Sequence, residues 1–198
     1  MRKVAVVTDS TAYIPKEVRE EKNITMVPLN VMIGEESYQE EIDLTAEQFY
    51  EKMKTSEVLP KTSQPSVGLF QETYEELAKS HDQVIVVTLS SGISGTHQAA
   101  IMAAEMVEGL KVGVFDSEIS CMVQGFYVLK AADMAAEGKN LEEIYAHLEV
   151  MKMNCHGYFM ADDLSHLHRG GRLNGAQLIM GSLLQIKPVL HFHDKMIV

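Results

Sequence analysis

Two hydroxyl-rich loops carry the residue types best suited to chemistry. Ser90-Ser91-Gly92-Ile93-Ser94-Gly95-Thr96 follows the apolar run Val84 to Leu89 and leads into the periodic segment His97 to Val107. Thr62-Ser63-Gln64-Pro65-Ser66 likewise precedes a helical pattern. A strand, a glycine-rich turn and a helix start together form an anion cradle, because the first backbone N–H groups of a helix lack intrahelical partners and carry partial positive charge. Glycines let a ligand approach the backbone. Hydroxyls at Thr62 and Ser94 can each donate to a carboxylate, and such charge-assisted bonds contribute roughly 1.5 to 3 kcal/mol. No Lys is expected beside either loop, which favours a carboxylate over a polyphosphate.

Other chemistries fit less well. Gly92-Ile93-Ser94-Gly95-Thr96 resembles the G-x-S-x-G elbow of a serine hydrolase, with Asp116 and His156 following in hydrolase order, but Thr96 stands where the last glycine belongs. A hydrolase of acyl esters using Ser94 is therefore the alternative reading. No G-x-x-x-x-G-K-[ST] phosphate loop occurs. His191 and His193 would share one face of a strand and His166 and His168 lie close in sequence, yet neither pair has a third ligand at local spacing, so no metal site is expected. Arg169 and Arg172 flank Gly170-Gly171 and suit a phosphate or an acidic partner as well as they suit solvent. Most of the 13 methionines belong to the core, although methionine also suits a tunnel for a flexible tail.

These loops need a frame, and the surrounding pattern supplies one. Val4 to Val7 reads as a buried strand ending in Thr8-Asp9-Ser10-Thr11, and Ile24 to Ile33 as a second extended segment. Val112 to Phe115 is another strand, ending in Asp116-Ser117. Three apolar strands thus deliver Asp or Ser at their carboxyl ends, the edge where parallel α/β sheets bind ligands. Thr45 and Gln48 have capping-box spacing, and Ser66 caps a helix whose Val67, Phe70, Tyr74, Leu77 and Ala78 share a face. Ala100, Ile101, Ala104 and Val107 form a narrow stripe for close helix-to-sheet packing. Helices follow from about Ile119 to Glu137, stopped by Gly138, and through Leu141, Ile144, Tyr145, Leu148 and Met151. The alternation predicts an α/β fold with an open, mainly parallel sheet flanked by helices over residues 1–155. Residues 156–198 read as the start of an incomplete second α/β subdomain: a strand at 157–160, a short helix at 162–168, a loop at 169–172, a helix at 175–184 and a hairpin turning at Asp194-Lys195 that looks cut short.

With 198 residues, 46% hydrophobic, and a mean hydropathy of −0.04, the composition is that of a globular protein with a substantial core. A net charge of −11 argues against partners recognised through phosphate backbones or anionic membranes, so nucleic acid is excluded. Only Cys121 and Cys155 occur, and Met-Arg-Lys runs directly into a short strand; free thiols and a cytoplasmic location are expected. No apolar run approaches the roughly 20 residues of an integral membrane span.

In order along the chain, Thr8-Asp9-Ser10-Thr11, Val27-Pro28-Leu29, Thr62-Ser63-Gln64-Pro65-Ser66, Ser94-Gly95-Thr96, Asp116-Ser117 and Gly170-Gly171-Arg172 resemble the DegV family. The resemblance implies a non-enzymatic carrier without cofactor that binds a long-chain fatty acid and presents the carboxylate to an ATP-binding fatty acid kinase, which forms the acyl phosphate. It implies that Thr62 and Ser94 hold the carboxylate, with Ser63, Gly95, Thr96 and Ser10 supporting the loops, and that Arg172 and Arg169 meet the kinase. Two departures accompany it. Family members run well beyond residue 198, and His168-Arg169 replaces the Lys that commonly precedes the double glycine.

Overall fold

The computed structural model describes residues 4–56, 58–173 and 187–198. Its centre is a parallel sheet in the order β2-β1-β6-β7, built from β1 (Val4–Asp9), β2 (Ile24–Val27), β6 (Gln83–Thr88) and β7 (Lys111–Asp116). β1 and β6 are buried along their entire length, because helices cover both faces and neither can afford a polar side. Side chains alternate between those faces. Val4, Val6, Ile85 and Val87 pack with Phe115 against α5 (Cys121–Ala136) and α6 (Leu141–Lys152). Ala5, Val7, Val84 and Val86 pack against α3 (Val67–Ala78) and α4 (Thr96–Ala104). The expected parallel α/β frame is thus present, with Phe70 and Tyr74 of α3 fully buried.

Local chemistry sets the boundaries. Thr45 and Gln48 form the expected capping box on α2 (Ala46–Thr55), and the Ser66 side chain caps α3. The stripe expected on α4 is displaced: Ala99, Ala100 and Ala103 are buried, Ile101 and Ala104 only partly, and Val107 lies beyond the helix end. Small side chains still allow α4 to lie against the sheet. The segment expected to extend from Ile24 to Ile33 divides at Pro28, which has no N–H to donate and fixes its own φ. β2 stays in the parallel sheet, whereas β3 (Asn30–Ile33) enters an antiparallel sheet with β4 (Glu36–Gln39) and β5 (Lys61–Ser63), order β4-β3-β5. The short helix α1 (Lys16–Glu21) has a mainly polar sequence and was not expected.

At the C-terminal side, β8 (Tyr158–Met160), β9 (Val189–His193) and β10 (Met196–Ile197) form an antiparallel sheet in the order β10-β9-β8. Asp194 and Lys195 turn the hairpin with φ of 47° and 69°, the left-handed conformation that tight two-residue hairpins require. α7 (Ser165–Arg169) begins later than expected, after the Asp163 carboxylate accepts the Ser165 N–H. The helix expected at 175–184 lies outside the described residues. Leu164, Leu173, Leu190 and Ile197 form this region's own small cluster.

Candidate functional site

The carboxyl ends of β1, β6 and β7 meet in one hydrogen-bonded edge, and its acceptors are two aspartates. Asp9 accepts from Leu89 N (2.8 Å), Thr11 N (3.0 Å) and Thr11 Oγ1 (2.5 Å). Asp116 accepts from Ser91 N (3.1 Å), Ser91 Oγ (2.5 Å) and Glu118 N (3.1 Å). The segment after β6 is therefore gripped on both sides before it reaches the glycines. Ser10, expected to support the loops, is buried; its hydroxyl donates to Glu40 Oε2 (2.6 Å) and accepts from Leu29 N (3.0 Å). It fastens the entry to β3.

Beyond Ser91 the loop carries the features of an anion cradle. Ser94 Oγ lies 2.9 Å from Thr96 Oγ1 and accepts from Thr96 N at 3.3 Å, while Thr96 is fully buried at the start of α4. Ser94 itself is half-buried. Among the described residues, the backbone N–H groups of Ser94 and Gly95 make no hydrogen bond. Two adjacent free donors at a helix start attract an anion.

The Thr62 loop leans on this cradle. Thr62 pairs with Val31 across β5 and β3 and is exposed, and its hydroxyl makes no hydrogen bond among the described residues. Ser63 pairs with Asn30 and is half-buried. A Cβ placed on Gly95 would lie 2.9 Å from the amide carbon of the Gln64 side chain, so the two loops touch at Gln64 and Gly95. The far end of the Gln64 side chain occupies the space beside Gly95.

Two lysines correct the expectation that none stands beside either loop: Lys61 directly precedes Thr62 in β5, and Lys195 reaches the Ser90 loop. The hairpin turn brings Lys195 Nζ to within 3.0 Å of Asp116 Oδ2, and Ser90 Oγ donates to the Lys195 carbonyl at 2.7 Å. A Cβ on Gly92 would lie 2.4 Å from that carbonyl oxygen, so the glycine is what admits the hairpin. Burial opposes ionisation of Asp116, yet the Ser91 hydroxyl, Lys195 and the Ser91 and Glu118 amides outweigh it and hold the carboxyl below its usual value. A second unexpected neighbour is His97, whose Nδ1 lies 3.1 Å from Thr88 Oγ1. Burial lowers its pKa, partly countered by Asp116 and reinforced by Lys195 and Lys152, so the ring is neutral near pH 7. Its position three residues after Ser94, in the first turn of α4, was the available signal.

The hydrolase residues do not assemble. Ser94 bonds with Thr96, Asp116 is taken by Ser91 and Lys195, and His156 lines a cavity of about 130 Å³ with Tyr127, Lys152, Cys155 and His191, which Lys195 also borders. Both cysteines are free thiols. His191 and His193 have ring centroids 6.4 Å apart, and no group of three possible metal ligands occurs among the described residues. Arg169 bonds to Ser165 Oγ (2.8 Å), and Arg172 is tied to Ile93 O (3.0 Å) and Gly170 O (2.6 Å). No helix among the described residues is long and apolar enough to cross a membrane.

Fold and site together define an α/β protein whose parallel sheet ends, at its carboxyl edge, in a hydroxyl-rich loop with amides that are unpaired among the described residues. A family model described as "Uncharacterised protein, DegV family" matches residues 3–198, and the chain belongs to that family. The crystal structure of DegV, a fatty acid binding protein from Bacillus subtilis, superposes with a TM-score of 0.93 at 55% identity, covering 100% of this chain and 71% of that one. A fatty-acid-binding DegV family protein from Thermus thermophilus gives 0.89 at 34% identity, over 100% and 70%. A stearic acid-binding protein from Eubacterium ventriosum gives 0.88 at 27% identity, over 100% and 69%.

Proposed function

We propose that this chain binds a long-chain fatty acid, holding the carboxylate between the hydroxyls of Thr62 and Ser94. The observation that carries the reading is the contact of the two loops through Gln64 and Gly95, beside N–H groups at Ser94 and Gly95 that are unpaired among the described residues. Ser63 and Gly95 shape the loops, Thr96 orients the Ser94 hydroxyl, and Ser10 secures the frame beneath them. The fatty-acid-binding relatives support the ligand class. The chain acts as a carrier without catalytic residues of its own, and a partner ATP-dependent fatty acid kinase, met through Arg172 and Arg169, phosphorylates the presented carboxylate to acyl phosphate.

Tail and head divide the work. Burying about 14 methylenes at ~0.8 kcal/mol each is worth on the order of 11 kcal/mol before association costs, several times the headgroup bonds. The tail supplies affinity and the head sets position. Solvent extraction of the purified protein is expected to release a free fatty acid by mass spectrometry, with no labelling of Ser94 by a fluorophosphonate probe. Ser94→Ala and Thr62→Ala each weaken binding by roughly tenfold or less, but reduce kinase-dependent phosphorylation more strongly. Labelling of Ser94 in lipid-free protein, or unaltered phosphorylation in both variants, refutes the reading.

A further inference from the structure

We propose that Arg172 is a positioning residue for the Ser94 cradle: its guanidinium sets the orientation of the peptide joining Ile93 to Ser94. This extends the carboxylate-binding reading and rests on it where a ligand is concerned. Arg172 Nε donates to the Ile93 carbonyl at 3.0 Å, across a sequence separation of 79 residues, and its Nη1 donates to Gly170 O at 2.6 Å. A trans peptide is planar, with C=O and N–H pointing in opposite directions. Holding the Ile93 carbonyl toward Arg172 therefore turns the Ser94 N–H to the opposite side, where it has no partner among the described residues. The preceding turn is fixed separately, by Ile93 N donating to Ser90 O at 3.2 Å. Arg172 thus orients the peptide that directly follows this turn.

The double glycine is shaped for that task. A Cβ on Gly170 would lie 3.1 Å from Arg172 Nη1 and 3.4 Å from its Cδ, crowding the side chain in the pose that reaches Ile93. Gly171 has a φ of 75°, which a residue with a side chain rarely adopts. Lysine cannot replace the arginine, because two carbonyls in different directions need the rigid fork of donors that a guanidinium supplies.

The test compares Arg172→Ala and Arg172→Lys with the unmodified chain by backbone amide NMR, first in lipid-free protein and then with bound [1-13C]oleate. In lipid-free protein the Ser94 and Gly95 amide resonances are expected to move in both variants, while those of Val84 to Val87 stay in place. With oleate bound, affinity falls by roughly tenfold or less, whereas the carboxyl resonance shifts and titrates at higher pH, because fewer oriented donors stabilise the anion. Unmoved Ser94 and Gly95 resonances overturn the inference even if oleate binds, and so does rescue by lysine, which would assign the effect to charge alone. Moved resonances in a protein that takes up no oleate uphold the loop geometry and sink the carboxylate reading instead. Should both variants unfold, the unmodified chain decides: a slowly exchanging Arg172 Nε–H supports the bond to Ile93, and one exchanging at the solvent rate refutes it.

Discussion

Asp9 and Asp116 end the two strands that flank β6, and each accepts an N–H from the segment that follows it, yet their electrostatics run in opposite directions. Asp9, 1% exposed, takes hydrogen bonds from neutral groups. Burial pushes its pKa up, against the pull of the Thr11 hydroxyl, Leu89 amide, Gln124 amide group and Thr11 amide. Asp116 is 8% exposed and also penalised by burial, but the Ser91 hydroxyl and the Lys195 ammonium bring it below the usual carboxylate range. Beyond the shallower burial of Asp116, one difference is a cation delivered by a hairpin 79 residues later. Asp9 closes the sheet from within, whereas Asp116 joins the sheet to the C-terminal hairpin beside the cradle.

The largest expected effect follows from deleting the sealed member. Asp9→Ala leaves the buried Leu89 N–H and the Thr11 N–H without their acceptor, while the Thr11 hydroxyl keeps Gln124 Oε1, at a cost of about 3 kcal/mol in urea unfolding. The pH dependence sharpens the contrast. A raised folded pKa means that this group's contribution is most favourable below its unfolded value of about 3.8 and is lost as pH rises through the folded value. Asp9→Asn removes that dependence. If Asp9→Ala unfolds at the same urea concentration as the unmodified chain, the sealed network contributes nothing.

A smaller, local loss is expected from Gly92→Ala. The added methyl meets backbone atoms of Lys195, at 2.4 Å from O and 2.8 Å from C, so the hairpin must withdraw and release both Ser90 and Asp116. Hydrogen exchange is the measurement: the His191 and Val198 amides, bonded to each other's carbonyls at 2.9 Å, exchange faster, while Val86 in the central sheet does not. Gly95→Ala serves as the control, since it meets only the movable end of Gln64. Equal exchange of His191 in the Gly92 variant and the unmodified chain would show that the hairpin does not depend on this docking.

The Asp9 side of this comparison was legible in the sequence and the Lys195 side was not. Val4 to Val7 and Val84 to Leu89 announce buried parallel strands because both faces must be apolar, and the hydroxyls and aspartates at their ends follow in register. Thr45, Gln48 and Ser66 were legible as caps because capping acts over three residues. The edge strands β4 and β5 are too short and polar, as Glu36–Gln39 and Lys61–Ser63, for any periodicity to register. Thr62 and Ser94 could each be proposed from local pattern, but nothing local says that Gln64 rests on Gly95. Lys195 and Arg172 reach the loop from far along the chain, one through a non-glycine left-handed turn and the other through a side chain threaded past Gly170. Such contacts belong to tertiary packing, and no spacing rule encodes them.

The smallest expected effect tests whether Lys195 is truly what separates the two aspartates. Its side chain is 44% exposed, so solvent screens the pair, and Lys195→Met is expected to cost about 1 kcal/mol or less. The sign of its pH dependence is fixed by the depressed folded pKa of Asp116. That contribution is present above the unfolded value of about 3.8 and is lost as pH falls through the lower folded value. The stability gap between the unmodified chain and Lys195→Met should therefore be open near pH 6, close under strongly acidic conditions, and narrow at roughly 1 M salt. Carboxyl NMR of Asp116 provides the direct reading, with its titration moving to higher pH in Lys195→Met. If it titrates at the same pH in both proteins, the Ser91 hydroxyl and the two amides suffice to hold the charge. The contrast with Asp9 would then reduce to how deeply each carboxylate is buried.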